Sequence, residues 1–202
     1  MSLLQAEGLQ TPVFGPWSLR IEAGEIVTVF GPSGSGKSRL LRALADLDPH
    51  QGSVHHAGIE QVAMSGPQWR QRVALLPAEP AWWEQRVGDH LSQDDVTDQR
   101  LSSLGLEPGA VRDWTVERCS TGERQRLALV RVLGLEPSVL LLDEATANLD
   151  AGGVAAVEVV VRQWLDAEQE RAVLWVSHDP DQRQRIATRG YAIEDRQLVA
   201  AP

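Results

Sequence analysis

The stretch Gly31-Pro32-Ser33-Gly34-Ser35-Gly36-Lys37-Ser38 decides the fold of this 202-residue chain. It fits G-x-x-x-x-G-K-[ST], a phosphate-binding loop. Its glycines let the backbone curl so that successive N–H groups point at phosphate oxygens, and the following helix adds its positive N-terminal end. The apolar run Ile26-Val27-Thr28-Val29-Phe30 precedes it. Leu40, Leu41, Leu44 and Leu47 follow as one helical face, ended by Asp48-Pro49, so strand, glycine turn and amphipathic helix come in the required order. Of the 19 lysine and arginine side chains, Lys37 is the one lysine and all others are arginine. Under so strong an arginine bias, a lysine survives where a compact charge must reach the β- and γ-phosphates, a place a planar guanidinium fits poorly. Ser38 is the hydroxyl such a loop offers to Mg²⁺.

Outward from the loop, short apolar runs alternate with helical patterns, which predicts an α/β domain with a mainly parallel sheet. Val73-Ala74-Leu75-Leu76, Val139-Leu140-Leu141-Leu142 and Val173-Leu174-Trp175-Val176 read as strands buried on both faces. Val154, Val157, Val161 and Trp164 share a helix face, with Glu158 and Arg162 as an i,i+4 pair. Residues 94–104 and 122–135 also read as helices, joined by turns such as Leu106-Glu107-Pro108-Gly109. The expected organisation is a single domain. Its α/β core comprises residues 1–77 and 137–202, residues 78–136 form an inserted helical subdomain, and residues 3–9 and 18–21 form short antiparallel strands.

Composition excludes several classes. Hydrophobic residues make up 43% and charged residues 23%, ordinary for a globular protein, and the net charge of −9 argues against nucleic acid as a partner. The one cysteine, Cys119, rules out an internal disulfide and fits a reducing compartment. No charged-then-apolar leader opens the chain, and no apolar run approaches the roughly 20 residues a membrane span needs, so a cytoplasmic location is expected. His50, His55, His56 and His90 lack a metal-ligand spacing.

Asp143-Glu144 closes the strand 139–142. A carboxylate at the end of a buried strand suits Asp143 to the Mg²⁺ shell, and the next acid, Glu144, to orienting or deprotonating water at the γ-phosphate. Ser120-Thr121-Gly122-Glu123 opens a helix as a capping box, and a helix N-terminus with a hydroxyl is also an anion site.

Five motifs then occur in one order: residues 31–38, Cys119-Ser120-Thr121-Gly122-Glu123-Arg124-Gln125-Arg126, Leu140-Leu141-Leu142-Asp143-Glu144-Ala145-Thr146, Ala147-Asn148-Leu149-Asp150 and Val176-Ser177-His178-Asp179. Together they resemble the Walker A, signature, Walker B, D-loop and H-loop of ABC-type ATPases, P-loop proteins, over essentially the whole chain. The resemblance implies ATP hydrolysis by two copies, or paired cassettes, arranged head to tail. Each ATP would lie between one phosphate loop and Ser120 and Gly122 of the other copy, with Thr121 and Glu123 beside them. His178 would contact the γ-phosphate, and Asp150 would couple the sites. It further implies an integral membrane permease as partner and a peripheral position on the cytoplasmic face of the inner membrane. The alternative is a soluble, non-transport ATPase of assembly or repair. Ala172-Val173-Leu174-Trp175-Val176-Ser177-His178-Asp179 is similar to the small ATPases of the iron-export branch. No pattern selects a cargo, metal or small molecule, because substrate contacts in such systems belong to the membrane subunit.

The chain departs from the family pattern at three places. Ala78 stands where a glutamine usually follows the strand 73–76, with Glu79 beside it. Cys119, Thr121 and Glu123 replace the commonest Leu, Gly and Gln of the signature. The aromatic that stacks on adenine has Phe14 and Trp17 as its candidates. Trp82-Trp83 follows the departed glutamine, either filling the subdomain core or lining a surface for a membrane partner.

Overall fold

The structure is a computed structural model that describes residues 2–201. Two sheets organise it. The first is antiparallel, in the order β2-β1-β4-β5, from β1 (Leu4–Gln10), β2 (Trp17–Ile21), β4 (Gln51–His56) and β5 (Ile59–Glu60). The second has the order β10-β9-β3-β8-β7-β6, from β3 (Ile26–Phe30), β6 (Val73–Leu76), β7 (Val139–Asp143), β8 (Ala172–Val176), β9 (Arg189–Glu194) and β10 (Gln197–Ala201). Its pairings are parallel except between β10 and β9.

Strands β6, β7 and β8 are apolar up to Asp143 at the end of β7, as suits strands with both faces covered. Ala74, Leu76, Leu140, Leu142, Val173 and Trp175 enter one core with α5 (Thr121–Leu133) and α6 (Ala151–Asp166). The residues between them, Val73, Val139, Leu141, Ala172, Leu174 and Val176, enter a second core with α1 (Lys37–Leu44), α2 (Gly66–Arg72) and the antiparallel sheet. Trp69 of α2 is fully buried there and its indole N–H donates to Leu44 O at 2.8 Å. Truncating such a residue to alanine costs about 3–5 kcal/mol.

Between β6 and β7 lie α3 (Asp95–Ser103), α4 (Pro108–Arg112) and α5, with 3-10 turns at Val87–His90 and Val116–Arg118. Glu136, at φ 47°, accepts hydrogen bonds from Arg100 of α3 and from Arg171, which precedes β8, and so ties the helices to the sheet. A cavity of about 830 Å³ opens beside this bridge, between α3 and α6. The last helix, α7 (Pro180–Ile186), follows β8.

Several sequence expectations are corrected. The helix after the loop stops at Leu44, because Ala45 caps it and Asp46 turns to φ 57°. Leu47 therefore leaves the apolar face and is 42% exposed, and Asp48 is held instead by Arg39 and Arg42, each at 2.8 Å. The 106–109 turn contains a helix start: Glu107 accepts from the N–H groups of Gly109 and Ala110 and caps α4. Glu158 does not pair with Arg162. It binds Arg185 at 2.8 Å, and Arg162 donates to Ile186 O, because packing of α7 on α6 outcompetes a weak i,i+4 pair. The strands β4, β5, β9 and β10 carry histidines, glycines or exposed polar residues and gave no periodic signal.

Candidate active site

The loop 31–38 connects β3 to α1. Gly31 adopts φ 152°, and a Cβ there would meet Ile193 O at 2.8 Å. Gly36 adopts φ 103°, and a Cβ there would meet the Phe14 ring at 2.8 Å. Both positions therefore demand glycine on conformational and steric grounds. Between them, Ser35 N–H donates to Pro32 O at 3.2 Å. Gly36 caps α1 without a side chain, so the first N–H groups of that helix stay available to an anion.

Lys37 is buried, and its ammonium donates to Gly31 O at 3.0 Å and Pro32 O at 2.9 Å. Burial pulls its pKa down, against the attraction of Glu144 and Asp143. Asp143, at the end of β7, is buried beside the Ser38 hydroxyl, which favours its charged form. Burial pushes its carboxyl up, with Glu144 adding to the shift and Ser38, Lys37 and His178 opposing it. Its Oδ1 is buried without a hydrogen-bond partner among the described residues. A serine hydroxyl and an unsatisfied carboxylate oxygen are the hard donors Mg²⁺ takes, so these residues fit that ion.

Glu144 has φ 50°, and its N–H donates to Val176 O at 3.1 Å. Its Oε1 lies 2.8 Å from His178 Nε2, and both side chains are partly exposed. The turn after β7 and the turn after β8 thus present a carboxylate and an imidazole beside Lys37 and Ser38.

The signature residues stand apart from this cluster in their hydrogen bonding. Ser120 Oγ accepts from Glu123 N–H at 3.2 Å, and Glu123 Oε2 accepts from Ser120 N–H at 2.8 Å, a capping box on α5. The Ser120 N–H is the first cause holding Glu123 below the usual carboxylate range. Gly122 packs on the 148–149 turn, where an added Cβ would sit 3.1 Å from Asn148 O. Asp150 caps α6 through Gly153 N–H at 2.8 Å.

Of the two candidate stacking aromatics, Trp17 is removed: it is 1% exposed and its indole N–H donates to Arg196 O. Phe14 is half-buried, stacks on Trp17 with centroids 6.1 Å apart, and borders Gly36. The two readings of Trp82-Trp83 divide between the residues. Trp82 packs on the core beneath Arg131, whereas Trp83 is 68% exposed. Trp82 also lines a cavity of about 570 Å³ with Ala78, Glu79, Arg124 and Gln125. His90 holds Glu84 N–H at 3.1 Å, and His50 Nδ1 lies 3.1 Å from Asp48 O. Sequence reasoning passed over Gln182, whose four-residue spacing after His178 was its one signal.

Among known proteins, residues 14–147 match the ABC transporter family. The chain is 38% identical over 182 residues to the aliphatic sulfonates import ATP-binding protein SsuB 2 of Frankia alni, covering 89% of this chain and 70% of that one. It is 33% identical over 172 residues to the "Probable iron export ATP-binding protein FetA" of Escherichia coli, covering 80% and 76%. A bacterial Atm1-family ABC exporter solved with ATP bound shares the fold, with a TM-score of 0.87 at 19% identity. This chain spans 97% of its own length in that match but 38% of the exporter chain. The named relatives are ATP-binding subunits of transporters, which favours transport over a soluble assembly or repair role. No helix among the described residues is long and apolar enough to cross a membrane. With a glycine loop, a Walker-type carboxylate pair and this kinship together, the chain belongs to the ABC transporter family, as an ATP-binding, ATP-hydrolysing subunit.

Proposed function

We propose that the chain binds MgATP on residues 31–38 and hydrolyses it in a head-to-tail pair with a second copy or a paired cassette. Lys37 exchanges the Gly31 and Pro32 carbonyls for phosphate oxygens. Ser38 and Asp143 hold the Mg²⁺, which neutralises phosphate charge when bound. Glu144 accepts a proton from the attacking water as the water oxygen bonds the γ-phosphorus and the bond from that phosphorus to the β–γ bridging oxygen breaks, so that ADP leaves with that oxygen. His178, at the side of Glu144, donates to the γ-phosphate. Phe14 stacks on the adenine.

The second copy completes the site. Ser120 Oγ already accepts from Glu123 N–H, which leaves its own O–H free to donate to the γ-phosphate across the interface. Thr121, Gly122 and Glu123 sit with it at the positive end of α5. Asp150, which follows the 148–149 turn against which Gly122 packs, couples the two sites. Residues 78–136 act as the helical subdomain that carries this signature.

A membrane permease is the partner, and the chain sits on the cytoplasmic face of the membrane. The exposed Trp83 beside the cavity at Ala78 and Trp82 supports a docking surface there. The single observation that carries the reading is the convergence of Lys37, Ser38, Asp143, Glu144 and His178 on one glycine loop. The test is ATPase activity against protein concentration. Activity per chain should rise as dimers form. Constant specific activity from a monomer verified by light scattering under ATP refutes the shared site.

A further inference from the structure

Gln182, on α7, is 1% exposed, and its amide meets three groups from separate segments. Ser177 Oγ donates to its Oε1 at 2.7 Å. Thr146 Oγ1 lies 3.2 Å from Oε1 and 3.1 Å from Nε2. Nε2 donates to Glu158 Oε1 at 3.0 Å. The orientation of the amide follows from chemistry, because a carboxylate only accepts and so draws the donor end toward Glu158.

Thr146 stands two residues after Glu144, and Ser177 immediately precedes His178. We propose that Gln182 is a positioning residue for hydrolysis: it ties the turn carrying Glu144 to the turn carrying His178 and sets their approach. This rests on the reading of Glu144 and His178 as catalytic groups. Glu144 needs such a tie, since its left-handed φ of 50° is unfavourable for a side chain with a Cβ and persists only where surroundings impose it. The hydrogen bond from Glu144 N–H to Val176 O links the same two turns from the backbone side. The amide acts at both ends. Its oxygen collects two hydroxyls, and its nitrogen anchors to Glu158, which α6 and Arg185 hold in place.

The experiment compares Q182L, Q182E, E158Q and the reciprocal swap Q182E/E158Q, with E144Q as reference, by ATPase kcat, KM for ATP and Tm. Q182L should lower kcat by about 10–100-fold, the scale of a small misplacement of reacting groups, while KM stays within about twofold. Q182E sets a second carboxylate against Glu158 and should also lose kcat. The swap restores one donor and one acceptor and should recover kcat to within about threefold of wild type. A residue that merely packs α7 would change Tm without separating kcat from KM and would show no reciprocal rescue. If Q182L does not fold, the Q182E and swap pair decides. Unchanged kcat in Q182L, or a swap without rescue, overturns the proposal alone when E144Q is slow. Unchanged turnover in E144Q overturns the assignment of Glu144 and the proposal with it.

Discussion

His178 Nε2 lies 2.8 Å from Oε1 of Glu144, and Glu144 reaches that contact from a left-handed backbone. Local propensity alone would not put a glutamate in that conformation, so the surroundings impose it, as the proposed role of Glu144 requires.

Glu144→Gln should keep ATP binding and slow hydrolysis by about 10²–10⁴-fold, the scale of a general base. The ATP-bound variant should run as a dimer. Steady-state turnover and size-exclusion chromatography check both, and wild-type turnover removes Glu144 from its role.

Gly36→Ala should damage the loop twice. Alanine at φ 103° leaves the favourable region, and its Cβ would strike the Phe14 ring. Backbone strain alone costs about 1–2 kcal/mol. Both Tm and calorimetric ATP affinity should fall, and a variant matching wild type in both would contradict the placement of Phe14.

Stability should fall in mild acid because of His56. The ring is buried edge-on to Trp69, and neither of its nitrogens has a hydrogen-bond partner among the described residues. Burial first, then the Arg72 charge, pushes its pKa below the ordinary 6.5, against a weaker pull from Glu170. The unfolded chain therefore binds the proton more readily, so stability is complete above about pH 6.5 and declines as pH drops toward the folded value. Thermal denaturation between about pH 5 and 7.5 should show a shallower slope for His56→Phe than for wild type. Parallel slopes would exclude His56 as a source.

Ala78→Gln should alter the response of ATPase activity to a reconstituted permease more than basal turnover. An added amide beside Gln125 supplies one hydrogen bond, worth about 0.5–1.5 kcal/mol, so the basal change should stay below about tenfold. Equal stimulation ratios in wild type and variant would show that the position is inert in coupling.

Two of the corrections show where sequence reading falters. Leu47 continues the spacing of Leu40 and Leu44, yet Asp46 turns the chain before it, because Arg39 and Arg42 draw Asp48 back over the helix end. Glu158 and Arg162 have helical spacing, yet each is engaged by α7, a segment more than 20 residues away. Trp82 and Trp83 are identical in type, adjacent and both under Arg131, and only packing against the core tells the partly buried Trp82 from the exposed Trp83.

What the chain determined by itself is what neighbouring residues can enforce. Its glycines curl the loop at residues 31–38, Ser120 and Glu123 cap a helix across three positions, and consecutive apolar residues specify strands covered on both faces. Backbone sterics, local hydrogen bonds and hydrophobic patterning act over short spans, and sequence displays them directly. Tertiary structure alone decided that β3 lies between β8 and β9, that Phe14 covers Gly36, and that Gln182 joins Thr146 to Ser177. Those contacts depend on which faces are buried together in two apolar cores, a free energy summed over residues far apart in the chain.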